Sequence, residues 1–464
     1  MSEVYRTQVL VLGGGIAGLV AARELAKDFN SIIVLEKNDQ LGGSIGSTVI
    51  AGHRVDSGAE AFAVNRNDAL ALIDSLGLTD QLVEPARADA RIRSGTNSYL
   101  IPRGILGIPS DLSDPSVLAA VGADALAEAI DRDARPWNLA GSISIGQLVR
   151  TRLGSAFVER LLAPVVGGVH AANPDLLDAD ALVPGLASTA ANLGSLTAAV
   201  SKMRASASAA RPGGAIMSMR GGVHTLVDSL ALDLTRHGVS IRLSVGADTA
   251  NYFQDLWHVT TDTGETFTSE VLVVALPSRA ATQLFASDRS LTEPLSQVQT
   301  SDVAIVLLAV RAPELAFAPL GSGVLISSDS QGVEAKASTH ASAKWAWVAE
   351  TFGDTHLLRF SYGRDGRLPA DLLNLQELAV ADAKVLYGLE APEVIQAQTI
   401  HWPGALVHPG SGHLAVAKTV SQEVAGRKNL MIIGSGLGGN GITGTIRQAQ
   451  EAVSDFRVRY FASE

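Results

Sequence analysis

The residues 13–18, Gly13-Gly14-Gly15-Ile16-Ala17-Gly18, have the spacing G-x-G-x-x-G, and a carboxylate, Glu36, follows at the end of the next apolar run. Glycines so placed have separate uses: Gly13 permits a tight turn, Gly15 lets backbone approach a pyrophosphate, and Gly18 lets a helix pack closely on a strand. The helix that opens at Ile16 and Ala17 then offers its unpaired N–H groups to phosphate oxygens. Glu36 is spaced to accept hydrogen bonds from the ribose hydroxyls of an adenosine, and an acid there disfavours a 2′-phosphate. A glycine motif alone is also compatible with an ordinary turn.

The elements around it decide. Residues 8–12 (QVLVL) form a short apolar run, and 16–29 place Leu19, Ala22, Leu25, Ala26 and Phe29 at helical spacing. Residues 31–36 (SIIVLE) form a second apolar run, so strand, glycine turn, helix and strand follow one another as in a βαβ unit. This pattern leaves FAD and NAD both open. Leu41-Gly42-Gly43 and the stretch 52–60, ending Gly58-Ala59-Glu60, lie just beyond the acid. A nicotinamide domain has no general need for glycine-rich stretches there, whereas a flavin dinucleotide extends far enough to use both. Near the other end, 429–433 (NLMII), the glycine-rich 434–444 and a helix over 445–456 repeat the strand–turn–helix order.

Between these ends the sequence predicts a helix over 67–76, a Pro/Gly-punctuated loop or edge over 99–109, and a mostly helical insertion from 114 to 203. Its helices are expected over 115–130, 144–154, 156–162 and 193–203, followed by a small-residue linker or mobile loop over 204–214. A helix over 222–234 and strands over 239–245, 257–261, 265–268, 270–276 and 303–310 come next, with 343–349 and 356–362 as antiparallel partners and a helix over 372–386. The fold expected is α/β, with α+β character in the substrate domain. A Rossmann-like cofactor domain built from 1–95, 212–280 and 425–464 interleaves with a helical substrate or insertion domain (96–211) and a mixed-sheet substrate domain (281–424).

A chain of 464 residues is too long for one simple core, and 47% hydrophobic against 18% charged residues predicts compact folding. The net charge of -11 lacks the basic footprint that nucleic acid requires. With no cysteine there is no disulfide scaffold, thiol nucleophile or Cys-ligated metal, so an organic cofactor must carry any electrons. Two histidines five residues apart, His408 and His413, are a poor metal signal, and no metal is expected. No run approaches the length of a membrane span, no secretory h-region precedes the first strand, and a cytoplasmic protein is expected, with peripheral membrane contact left open.

Taken together, the N-terminal string VLGGGIAGLVAAREL, IIVLEKNDQLGGSIGS and GHRVDSGAEAF resembles the amine-oxidase-like flavoproteins. Residues 142–174, 219–230 and 434–447 (GSGLGGNGITGTIR) narrow the resemblance to the porphyrinogen oxidases of haem synthesis, and the similarity spans nearly the whole chain. It implies FAD, three two-electron oxidations of a porphyrinogen, reoxidation by O2 to H2O2, and a transient contact with ferrochelatase. Gly13, Gly15, Ile16, Ala17, Gly18, Glu36 and Lys37 would bind the ADP half, with the Val245 backbone at the adenine. Gly43, Ser44, Gly58, Ala59 and Glu60 would line the pyrophosphate and flavin, Trp402 would pack near the isoalloxazine, and Gly434, Gly441 and Ile442 would close the flavin side.

There are departures. Ser44 stands where many members carry Arg, and Val407-His408-Pro409 replaces an aromatic-rich element after Trp402. Glu60 stands where some members have a nearby basic residue thought to hold a substrate carboxylate, so it is not expected to clamp one itself. No general base is evident, which suits hydride transfer governed by positioning. Arg103, His170 and His408 are the candidate donors to substrate carboxylates. Coproporphyrinogen III is the expected substrate. The alternatives are protoporphyrinogen IX oxidation, flavin amine oxidation, or a porphyrin-binding scaffold without catalysis.

Overall fold

The structure is a computed structural model that describes residues 4–64, 66–87, 89–136, 141–210, 216–438 and 441–461, with the side chains of 207–210 left aside. Strand β1 (Val4–Leu12) lies at the centre of the first sheet, parallel to β2 (Ile32–Leu35) on one side and to Thr266–Val274 on the other. Ser240–Arg242 extends the sheet beyond β2, and Leu430–Ile432 joins parallel to the end of Thr266–Val274. Two antiparallel strands, Leu256–Thr261 and Ala247–Phe253, complete the other edge. Strands far apart in sequence thus share one sheet.

Its two faces follow from the alternation of strand side chains. Val9 and Val11 pack with Leu19, Leu25, Leu230 and the tail residues Ile446 and Val453, while Leu10 and Leu12 face Ala281, Leu291, Val420 and Leu430. Because both faces are covered, the strand centre is continuously apolar, as parallel sheets require.

The second sheet runs in the order Glu393–Val407, Thr300–Arg311, His356–Tyr362, Ala337–His340, Gly323–Ile326, Ala90–Ser94 and Asn97–Leu100. Ala304, Val306, Leu308 and Phe360 pack beneath the helix Leu375–Tyr387. The opposite face, with Leu307, Ala309 and Leu357, packs on Ile50 and Val55 from the hairpin of β3 (Ser47–Ile50) and β4 (His53–Asp56). That hairpin follows the second glycine stretch, so this face is turned toward the first sheet's module. A helical layer covers the far end of the second sheet. In it the buried Asp133 accepts from Leu196 N (2.8 Å) and Thr197 N (3.2 Å), tying the turn after Gly194 to the buried Arg152.

Several expectations need correction. Residues 343–349 are not a strand: Ala341–Lys344 and Ala346–Phe352 are helices, and Ala337–His340 is the true antiparallel neighbour. The helix Leu196–Ala210 runs through most of the expected linker, whose remaining residues 211–214 lie outside the described ones. The expected helix over 115–130 breaks at Gly122 (φ +84°) into Pro115–Val121 and Ala123–Asp133. The expected boundaries also shift. Ala90–Ser94 pairs in the second sheet, whereas Leu291, Leu295, Val420 and Val424 pack against the first.

Candidate functional site

Three glycines of the first turn are required for different reasons. A Cβ on Gly13 (φ +102°) would lie 2.6 Å from Ala275 O, and one on Gly18 would lie 2.0 Å from Gly13 O. Protein packing fixes both. A Cβ on Gly15 would meet nothing within 4 Å, so that position borders open space. Helix α1 (Ile16–Leu25) begins there with Gly15 as its N-cap and no side-chain cap, which leaves first-turn N–H groups for an anion.

Glu36, only 7% exposed, holds the turn together: Oε2 accepts from Gly14 N (2.8 Å), and Oε1 from Asn38 N (2.9 Å) and Asn38 Nδ2 (2.7 Å). Asn38 gave no signal in the sequence. Val245, the expected adenine neighbour, donates from N to Glu36 O (2.9 Å), so its N–H is already taken. Lys37 is exposed, with its stem beside Gly246.

The second glycine stretch lies on the first. Gly42 N donates to Gly14 O (2.8 Å), and a Cβ on Gly43 would stand 3.5 Å from Gly15 Cα. Ala59 N donates to Ser44 O (2.8 Å), and a Cβ on Gly58 would strike that same oxygen at 2.2 Å. Trp402 reaches over from the second sheet and donates from Nε1 to Ser57 O (3.2 Å). The tail arrives on the other side. Gly434 N donates to Gln448 Oε1 (2.9 Å), and Gly441 (φ +101°) again borders open space. Ile442, which opens the tail helix Ile442–Phe461, is buried in one cluster with Ile16, Ala17 and Ile45, and Thr443 Oγ1 donates to Ala63 O (2.6 Å). Residues from both ends of the chain therefore line one cradle, in which Gly15, Gly434 and Gly441 border open space.

Glu60 is an internal counter-ion. Lys344 Nζ lies 2.7 Å from its Oε1 and Arg359 Nε 3.2 Å from its Oε2, while Arg359 also donates to Asp56 O (2.5 Å) and Gly58 O (2.5 Å). Burial alone would raise the Glu60 carboxyl, but the two cations outweigh it and hold it below the ordinary glutamate range. This clasp ties the second sheet to the loop 56–60, and neither Lys344 nor Arg359 stood out in the sequence.

The three candidate substrate donors do not all converge. His170 ends the helix Ala163–His170 and is pushed down to about 4 by burial and by the nearby His408 and Lys336. His408 makes a short contact with Ser301 Oγ, which also donates to Ala171 O (3.3 Å). These two histidines therefore share a neighbourhood. Arg103 is exposed in the helical layer, where its charge acts on Asp114, and no described contact joins it to either histidine. His413, expected to lack helical context, is the first residue of the helix His413–Ala425, and with His408 it lines a cavity of about 350 Å³.

A parallel nucleotide-binding sheet, a glycine cradle open where phosphates belong and a tail that closes on it define a flavin-dependent oxidoreductase. The family described as flavin containing amine oxidoreductase matches residues 16–455, and the chain belongs to it, in the group of the porphyrinogen oxidases, with FAD as its cofactor. It is 30% identical over 461 residues to the coproporphyrinogen III oxidase of Mycobacterium tuberculosis, covering 96% of each chain. It is 24% identical to that of Bacillus subtilis, covering 97% of this chain and 98% of the other. Among solved structures it superposes on one from Exiguobacterium sp. 255-15, provisionally named a protoporphyrinogen oxidase, with TM-score 0.84 and 23% identity over 99% of this chain and 100% of that one.

Proposed function

We propose that the protein oxidises coproporphyrinogen III to coproporphyrin III in the cytoplasm, with O2 as acceptor, and passes its product to ferrochelatase by transient contact. The observation that carries this reading is the full-length relation to the mycobacterial coproporphyrinogen III oxidase. Bound FAD supplies a two-electron acceptor. Three rounds remove six electrons and six protons from the porphyrinogen, and three O2 become three H2O2.

In this reading Gly15 and the start of α1 hold the phosphates, Gly13 and Gly18 give the turn its close packing, and Glu36 keeps it in shape at the ribose. Ala59 and Trp402 flank the flavin from the two sheets, while Gly434, Gly441 and Ile442 close over it. Glu60 is the shared counter-ion of Lys344 and Arg359, so this trio fixes the 56–60 loop and does not bind substrate carboxylates. His170, neutral at pH 7 because its value lies near 4, offers a hydrogen bond and no charge. No side chain has to act as a strong base, since holding a meso carbon against the ring supplies much of the catalysis.

The test is steady-state oxidation of both porphyrinogens with peroxide detection. Coproporphyrinogen III should be consumed faster than protoporphyrinogen IX, with one H2O2 formed per electron pair. The reverse rate order would overturn the assignment.

A further inference from the structure

Two cations at one end of the second sheet form no ion pair with any described residue. Lys336, directly before the strand Ala337–His340, is 2% exposed, and its Nζ donates to Gly167 O (3.2 Å) and Gly168 O (3.1 Å). Arg364 is half-buried and donates to Ile326 O (2.7 Å) and Ala335 O (3.0 Å). Neither is within 4 Å of a carboxylate oxygen of any described residue, and Asp365, Glu334 and Asp329 act on Arg364 only from beyond that distance. Two other buried arginines differ: Arg152 has Asp133, and Arg359 has Glu60.

Carbonyls alone compensate a buried ammonium poorly, and an uncompensated buried ion costs several kcal/mol. Two such ions close enough to repel each other raise that cost. Burial, with Arg364 adding to it, pushes the Lys336 amine down to about 8. A lysine has three donors, and Gly167 and Gly168 use two.

The surroundings add further donors. The helix whose carbonyls hold Lys336 delivers His170 at its end, and a Cβ on Gly366, in the turn closed by the Arg364–Arg367 bridge, would lie 3.6 Å from His408 Cε1. Four nitrogen-bearing side chains from separate elements thus meet at one end of the sheet. His408 N bonds Gln299 O, whereas Trp402 pairs with Val303. The four residue-to-residue rises from Gln299 to Val303 amount to about 13 Å. That is on the order of the separation between a tetrapyrrole's reacting carbon and its far peripheral arms.

We propose that Lys336 and Arg364 form the binding site for a carboxylate arm of the substrate, a reading that rests on the porphyrinogen function above. That carboxylate would supply the direct counter-charge that the polypeptide does not give these two cations.

The test titrates the FAD-loaded protein with coproporphyrin III, the stable oxidised product, followed by porphyrin fluorescence. Saturable binding by the unaltered protein is the control for the porphyrin reading, and its absence would remove that reading and this one together. Lys336→Met should weaken Kd about tenfold, the loss of one charge-assisted contact. It should leave Tm unchanged or higher, because removing an unpaired buried charge relieves its cost. Lys336→Arg should keep most of the affinity. Unchanged Kd in Lys336→Met, with or without a fall in Tm, would mark the lysine as a structural cap on Gly167 and Gly168 and overturn the proposal. Should that variant not fold, Arg364→Gln decides on the same readout: weaker binding supports the site and unchanged binding overturns it.

Discussion

The cofactor cradle and the substrate face are built on opposite electrostatic rules. In the cradle, shape comes from backbone meeting backbone, and its cations Lys344 and Arg359 share one carboxylate, Glu60, as a direct counter-ion. At the substrate face Lys336 and Arg364 hold only carbonyls, and His170 and His408 are both pushed below the ordinary histidine range. A region finished by its own chain offers geometry, while one left with unmatched charge offers a place for an anion. The comparison also separates residues that the fold needs from residues that the ligand needs, which substitutions can test.

The sharpest break lies inside the first turn. Gly18→Val would drive a side chain into Gly13 O and should destabilise even the FAD-free protein by about 3 kcal/mol or more. Gly15→Val faces open space, so its FAD-free form should melt like the unaltered FAD-free protein while failing to retain flavin. Thermal melts of both stripped proteins, with absorbance for flavin content, make the measurement. Equal destabilisation by the two variants, or full flavin in Gly15→Val, would dissolve the distinction between a packing glycine and a ligand glycine.

That distinction also explains what the sequence disclosed. The cradle's first half was legible because each requirement is local: Gly13, Gly15, Gly18 and Glu36 sit within one strand–helix–strand unit, and the tail repeats its order. The strand Glu393–Val407 went unread despite carrying Trp402, because Pro403 and Gly404 interrupt it and much of its length is only part-buried, which blurs the alternation. Residues 343–349 misled because the spacing of Trp345 and Trp347 fits a strand, although Trp345 is an extended joint between two short helices and Trp347 lies in the second, both buried. Lys344, Arg359, Lys336 and Arg364 are single basic residues in unremarkable contexts, and their partners lie far away in the chain. Only folding makes them a pair of contrasting sites.

Within the cradle the next effect is electrostatic. Glu60→Gln leaves Lys344 and Arg359 facing each other without a carboxylate, and should cost about 2 kcal/mol, less than a fully buried broken pair because the trio keeps some solvent contact. Flavin should also be held more weakly, since Arg359 positions the Asp56 and Gly58 carbonyls. Chemical denaturation and FAD dissociation measured on the same variant test both statements. A stability equal to that of the unaltered protein would show that Glu60 does not offset the two cations of the cradle.

The smallest effect concerns protons stored in the second sheet. His340 is 1% exposed, bonded through Nε2 to His356 Nδ1 (3.0 Å), and pushed down to about 3 by burial, His356 and Arg87. Above pH 6.5 both the folded and the unfolded chain hold this ring neutral, so it contributes no pH dependence. As pH falls below 6.5 the unfolded chain takes up a proton that the folded one refuses, and folding loses stability until pH approaches 3. At pH 5.5 the loss is about 1 kcal/mol. His340→Phe should remove it, so the fall in unfolding free energy between pH 7.5 and 5.5 should be smaller by that amount, with flavin content unchanged. An identical slope in the two proteins would show that this ring exchanges protons as freely in the folded sheet as in the open chain.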